Sequence, residues 1–587
     1  MKKTAKVMAL LLGITTAVSM VACDRNNDGD KTVITIMNFE GGVGTQWLDD
    51  AAVRFESARE GKSYEDGKTG VKVKVESAQG TTAYITTTSG YNAVVIERQS
   101  IMQYVQSGLL LDISDVFTDT SSGASIESRI DEKTLGRLQG NDSKYYGLPH
   151  YEFYSGLSYD RELFDKGGYY FAAGDDLNAE SWTSSRYGWT ASFVGNSSAN
   201  KSCGSDGEYG TQDDGLPSSL YEMLLLCAKL AEDNIEPVQL TGLYPNESNY
   251  LMSGLWPAIA GYDEIQTLYS FDSSSCVGED GVKGTADDGK VEIIKTDATT
   301  GKLLYTSENL FTGINYIKKP QTEWVTITQA NGYLTNDLAS KYYATAFLEI
   351  LENEKWLSAD SYDDSVDHVG AEANFIFGDY NGATPKAMLI EASYWWNESN
   401  LAGNMLDYTE VTEKTTRDIR FMPLPTSLNT TATVGNGRKL TLADVGFATI
   451  VVNSNIKNKP ATVAAIKDFL KFLYSEEECL AYTKSTGCTR TMDYTITQAD
   501  KAVMDPFFAD ILTLRENSNV LTAGANNSIF KNNMEAFVLE LDSAAFKPTF
   551  GVTTYNNYLK ALREKNTTAD VLMENSRISK SEWQRLL

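Results

Sequence analysis

Apolar residues recur along this chain at two periods, and the alternation between them predicts its architecture. KTVITIM at 31–37 alternates β-branched with polar positions, the pattern of a first strand. Glycines follow at 41, 42 and 44; Trp47, Leu48, Ala51, Ala52 and Phe55 then fall at helical spacing. VKVKV at 71–75 alternates again, and YNAVVI at 91–96 is a short apolar run suited to a buried parallel strand. Helical periods return at 102–110, 217–233 and 338–357. They return most strongly at 460–474, where Pro460 stands near the start and Ala464, Ile466, Phe469, Leu470 and Leu473 are apolar. Strands alternating with helices predict an α/β chain with a mostly parallel sheet. YGLP at 146–149 interrupts the pattern and reads as a crossing point, after which polar, glycine-rich insertions run to about residue 301.

At 587 residues the chain exceeds what one core supports, so at least two domains are expected. Lys+Arg 51 against Asp+Glu 79 leaves a net charge of −28, which opposes nucleic acid and anionic lipid as partners and favours neutral ligands. Two lysines, an apolar run from Val7 to Val18 and small residues before Cys23 form a secretory signal. The run is too short for a spanning helix, which needs roughly 20 apolar residues, and Thr15, Thr16 and Ser19 dilute it. MVAC at 20–23 resembles the lipobox of bacterial lipoproteins, with Met20 where leucine is usual. That resemblance implies acylation of Cys23, a signal at 1–23, a polar tether at 24–30 and a mature chain held by lipid at the outer face of the membrane. Five cysteines remain: Cys203, Cys227, Cys276, Cys479 and Cys488. Cys203 with Cys276 and Cys479 with Cys488 are pairings the order allows, and the odd number leaves at least one thiol over. No Cys/His spacing matches a zinc site, and only His150 and His368 exist to contribute.

One internal repeat stands apart. CGSDGEYGTQDDG at 203–215 and CVGEDGVKGTADDG at 276–289 share the pattern D-G-x-x-G-T-x-D-D-G. Glycines and aspartates at these offsets suit tight Asx-turn loops. Asp206, Asp213 and Asp214, with Asp280, Asp287 and Asp288, also suit calcium, a hard cation that takes oxygen ligands, although the spacing is not that of an EF-hand. Both readings stay open on the sequence, and no cofactor is otherwise required.

Several short segments then resemble one family in its own order. VQSGLLLDI at 105–113 is similar to the "v-x-x-G-x-l-x-d-l" stretch of extracellular solute-binding proteins. YGLP with LSYD at 157–160 and LF at 163–164 resembles that family's crossing, Asp160 replacing its usual asparagine. GLPSSLYEML at 215–224, KAMLIEASYW at 386–395, FMPLP at 421–425 and VGFATIVVN at 445–453 continue the likeness. The chain resembles the carbohydrate-specific solute-binding lipoproteins of bacterial ABC importers (family 1, related in fold to maltose-binding protein). What this implies is an α/β, two-lobed periplasmic-binding-protein type II fold with an interlobe hinge and cleft. Lobe 1 would be residues 31–150 and 419–490, and lobe 2 residues 151–418 and 491–587, with the repeats in lobe 2. Crossings would lie near His150, Ile419 and Arg490. The expected partners are a carbohydrate, the permease's transmembrane subunits and, through the lipid anchor, the membrane; a monomer is expected.

A sugar offers apolar C–H faces and a rim of hydroxyls, so its site needs flat aromatic surfaces and short polar groups. Tyr394, Trp395 and Trp396 supply the first, and Trp395 falls on the family's cleft tryptophan; in extended backbone one of the two indoles would face the cleft. Trp256 resembles the aromatic element of the family's second lobe. Tyr151, Glu152 and Tyr154 follow the crossing, and Glu40 sits where open α/β sheets bind ligands, beyond a strand's C-terminal end. Asn92 and Arg490 complete the candidates. No G-x-S-x-G, H-E-x-x-H or phosphate-loop motif is present. A glycosidase needs only two placed carboxylates, so an exported glycan-degrading lipoprotein is the rival reading. A surface glycan-holding protein without a transporter is the third.

Overall fold

The computed structural model describes residues 28–97, 100–121, 123–174, 179–378, 380, 382–412, 414, 417–429, 439–446, 448–522, 558–563 and 567–586. The signal, Cys23 and most of the tether lie outside them. Among the described residues no helix is long and apolar enough to cross a membrane.

The chain opens with strand β1 (Thr32–Phe39), helix α1 (Gln46–Ala58), β2 (Val71–Ala78) and β3 (Ala93–Ile96). Strands β2 and β3 both run parallel to β1. The five apolar positions read as one helix face are the five that α1 buries. After β4 (Gly147–Pro149) the chain passes through residues 150–154 into a second sheet, beginning with β5 (Ser155–Asp160). There follow α2 (Leu220–Glu232), β6 (Glu236–Gln239), α3 (Ser248–Ala260), a hairpin of β7 (Val291–Ile294) and β8 (Thr322–Val325), α4 (Ala339–Asn353), β9 (Lys386–Ala392) and α5 (Trp395–Leu401). The path continues through β10 (Ile419–Met422) and β11 (Leu440–Asp444), and only then returns to the first sheet as β12 (Thr449–Val452). Helices α6 (Pro460–Leu473) and α7 (Glu476–Thr486) follow, then α8 (Pro506–Asn517) and β13 (Ser518–Thr522), which pairs in parallel with β11.

The two largest sheets fall one in each lobe. Lobe 1 has the order β2-β1-β3-β12-β4, and lobe 2 the order β10-β5-β9-β6. Each sheet mixes parallel and antiparallel pairs: β12 is antiparallel to both its neighbours, and β9 is antiparallel to β5 but parallel to β6. The boundary expected at 419 is corrected by this topology. Strand β10 hydrogen-bonds to β5 inside lobe 2, so the return to lobe 1 falls between Asp444 and Thr449. Helix α6 covers lobe 1 by burying Ala465, Ile466, Phe469, Leu470 and Leu473, with Phe469 against Phe55 at 4.9 Å. Its Ala464, read as apolar, faces solvent. All five described cysteines are unpaired thiols, Cys479 lying against Met492 rather than Cys488.

The crossings are joined by a buried polar network. The Glu152 carboxylate accepts from Arg515 Nε at 2.6 Å, Thr489 Oγ1 at 2.9 Å and the Tyr154 hydroxyl. Arg490 is enclosed by Trp47, Tyr474 and Tyr482, its guanidinium carbon 4.0 Å from the Tyr482 ring centre, and it donates to His150 Nδ1. Burial and the neighbouring guanidinium hold His150 well below the usual imidazole range, so the ring is neutral and Nδ1 can accept.

Candidate functional site at the lobe junction

Strand β1 ends at Phe39, and the chain turns back through Gly41, Gly42 and Gly44 before α1. This turn meets lobe 2 closely: a Cβ on Gly42 (φ +52°) would lie 3.4 Å from the Phe153 ring and 3.5 Å from Tyr394 Cβ. One on Gly44 would lie 3.1 Å from Leu401. Glycine is needed here both for its left-handed backbone and for the close approach of the two lobes.

Around the turn, aromatic rings run from one lobe into the other. Trp47 contacts His150 at 5.0 Å between ring centres; His150 contacts Tyr151 at 4.4 Å, Tyr151 stacks on Phe153 at 4.5 Å, and Phe153 meets Tyr394 at 5.1 Å. Tyr394 then reaches Tyr250 on α3, their hydroxyls 2.8 Å apart. Two carboxylates bind hydroxyls within the run: Glu97 accepts from the Tyr151 hydroxyl, and Glu391 Oε1 accepts from Tyr394 at 3.0 Å. Tyr394 is half-buried, and Glu40 is exposed beside the turn.

The other candidates lie deeper. Trp395 has no exposed surface; its Nε1 donates to Ser158 at 2.8 Å, and its ring packs on Phe375, Trp396 and Phe507 in the core of lobe 2. Trp396 is also buried and donates to Asp505. The expectation that one indole faces the cleft assumed extended backbone. The segment is instead the first turn of α5, with Tyr394 as its N-cap, so both indoles turn into the core and the tyrosine stands at the junction. Trp256 is buried in α3 and donates to Ser340. Glu152 and Tyr154 belong to the crossing network, and Arg490 to its aromatic box. Asn92 ties strands together, its Oδ1 accepting from Thr35 N at 2.8 Å. Phe153, Tyr250, Glu97 and Glu391 were not singled out on the sequence; Phe153 alone had a signal, its place in the aromatic run after the crossing.

In the repeats, the six aspartates are engaged within their own loops. Asp213 Oδ2 accepts from Ser205 N and Asp206 N, and Asp287 Oδ2 accepts from Asp280 N. Asp206 and Asp280 each cap the residue two further on, and Asp214 and Asp288 cap Gly210 N and Gly284 N. Among the described residues no group of three or more His, Cys, Asp or Glu side chains is arranged to hold a metal ion.

Two α/β lobes thus meet at an aromatic-lined junction. Residues 277–478 match the family model of the bacterial extracellular solute-binding proteins, and the family match and the fold agree. No curated protein matches the sequence. Among solved structures, a chitin oligosaccharide binding protein is similar with a TM-score of 0.53 at 14% identity, over 95% of this chain and 99% of that one. The GacH receptor of Streptomyces glaucescens GLA.O, solved unliganded and with acarbose, gives 0.50 at 12% identity, over 95% and 98%. At such identities the likeness is one of fold.

Proposed function

We propose that the protein captures a neutral oligosaccharide outside the cell and presents it to an ABC permease, doing no chemistry on it. The observation that carries this is the aromatic run across the junction, in which Phe153, Tyr394 and Tyr250 alternate with hydroxyls and carboxylates, the pairing a sugar's faces and rim require. The family match and the fold of sugar receptors support it. The ligand would stabilise the lobes in contact, since closure follows from tighter binding to the closed form. Cys23 would carry the lipid that keeps the monomer at the membrane's outer face, and neither repeat loop would need a cation.

The test is calorimetric titration and thermal shift of the mature chain with chito-, malto- and cello-oligosaccharides. Ligand at 100 times its dissociation constant should add about 2.7 kcal/mol of stability. Tyr394→Ala should weaken binding by about 1–3 kcal/mol with the melting temperature nearly kept. Trp395→Ala should instead lower stability by about 3–5 kcal/mol, as a buried indole does. Release of shorter sugars would overturn the reading in favour of a glycosidase, and equal affinity in Tyr394→Ala would move the site away from the junction.

A further inference from the structure

Helix α3 has two ends. Tyr250 near the first belongs to the junction; the last, at Ile259 and Ala260, opens on a cavity of about 700 Å³ inside lobe 2. The helical rise from Tyr250 to Gly261 separates the two by roughly 16 Å. One wall of the cavity is the second repeat loop, from Cys276 to Gly281, and another is the β7–β8 hairpin, where Trp324 stands directly across from Glu292. The first turn of α4 closes the back with Ser340 and Tyr343. Lobe 1 contributes nothing from its sheet.

The lining repeats the chemistry of a sugar site. Trp324 and Tyr262 are half-buried rings, and Tyr343 adds a buried one. Polar groups between them are held in place: Trp256 Nε1 donates to Ser340 Oγ at 2.9 Å, and Ser340 donates to Glu264 Oε1 at 2.6 Å. Trp256, read from the sequence as a platform, thus orients this wall from behind. The Thr426 hydroxyl, in a residue only 4% exposed, is buried at the cavity wall and has no hydrogen-bond partner among the described residues. Four acids and three lysines line the space, a near balance that disfavours a strongly charged occupant. Burial raises the Glu292 carboxyl above the usual carboxylate range.

We propose that this cavity is a second carbohydrate site, built by the insertion that carries the repeat and separate from the junction. It rests on the reading above only in that the protein binds sugars. Trp324 supplies the flat face, with Tyr262 beside it, and Glu264, Glu292 and Thr426 take the hydroxyls.

The experiment is isothermal titration of the full-length protein with triacetylchitotriose and maltotriose, using wild type, Trp324→Ala, Trp324→Phe and Tyr394→Ala. Trp324 lies on a two-stranded hairpin, and Trp324→Phe preserves a ring there if the alanine variant unfolds. Two binding events are expected in wild type. Trp324→Ala should weaken one at least tenfold and leave the other within twofold; Trp324→Phe should keep most of both; Tyr394→Ala should do the converse of Trp324→Ala. A single event, lost in Tyr394→Ala and untouched by Trp324→Ala, overturns the second site and leaves the junction reading standing. A single event lost only in Trp324→Ala upholds the cavity and overturns the junction. No event with either sugar overturns both for these ligands.

Discussion

The two repeat loops share one skeleton and live in opposite surroundings. In both, the glycine after the first cysteine or valine takes a left-handed backbone (Gly204 φ +63°, Gly278 φ +69°), and a Cβ there would lie 2.3 Å or 2.2 Å from the carbonyl oxygen of Asp213 or Asp287. In both, a threonine two residues earlier donates to that aspartate, Thr211 at 2.7 Å and Thr285 at 2.6 Å. Yet Asp213 is fully buried beneath the start of α2, and burial with the nearby Asp206 carboxylate pushes its carboxyl up to about 7. Asp287 is more open, and the Thr285 hydroxyl with the Asp280 N–H pulls it down to about 2. Local sequence sets the bonds of such a loop; the packing around it sets the charge state of the same residue.

Alanine substitution separates the copies most sharply. Asp213→Ala leaves one buried and one half-buried N–H group without an acceptor, and we expect a loss on the order of 2–4 kcal/mol in urea unfolding. Asp287→Ala strips the same bonds from a loop that water can reach, and its melting temperature should fall by no more than about 2 °C. Equal losses would mean that the two environments do not differ in effect.

The pH dependence follows with opposite signs. Asp213 has a raised value in the fold, so the stability it contributes is complete below its unfolded value near 4 and is lost as pH rises through about 7. Asparagine can keep the accepting oxygen without the charge. Asp213→Asn should therefore gain on wild type progressively as pH rises from 4 to 7, by at most about 1.4 kcal/mol per pH unit, and level off above that. Asp287 is lowered, so its contribution is present above pH 4 and lost toward pH 2. Asp287→Asn should fall below wild type from pH 5 to 8 and converge with it as pH drops toward 2. Unfolding curves at stepped pH, each variant against wild type, read both windows.

These environments show where reading the chain succeeds and stops. Strand β1, the buried face of α1 and the crossing after YGLP were legible because each is a local pattern of two or more turns or pleats. The junction was legible only as a neighbourhood. The sequence groups Tyr394, Trp395 and Trp396, but which ring lies at the junction depends on whether residue 394 continues a strand or caps a helix, and one residue of phase decides it. Strand β10 was assigned to the wrong lobe because an apolar run carries no record of the strand it pairs with. Tyr250 and Glu391 reach the junction through α3 and β9, whose runs look like ordinary core.

Calcium tests the likeness of the loops rather than their difference. Asp206, Asp213 and Asp214 already accept N–H or O–H donors, and so do Asp280, Asp287 and Asp288. A cation would have to compete with those bonds for its oxygen ligands. The melting temperature in chelator and in millimolar calcium should agree within about 1 °C. A rise of several degrees with calcium would show that both loops open to ligate it.

The smallest effect concerns the cysteine that begins each loop. Cys203 and Cys276 each begin a loop, one residue out of register with each other, and neither is bonded to the other. Cys203 is half-buried and its thiol is raised by burial; Cys276 is buried beside the lobe 2 cavity and is pushed up to about 12, again by burial and then by Glu264. Alkylation requires both thiolate and access, so at pH 8 Cys203 should react with iodoacetamide about tenfold faster than Cys276. Cys227, Cys479 and Cys488, buried in the core, should react only on unfolding. Peptide mapping of a labelling time course distinguishes the five. If Cys276 labelled first, reagent would be entering through the cavity, and the second loop would be the more accessible copy at its base as well as at its aspartates.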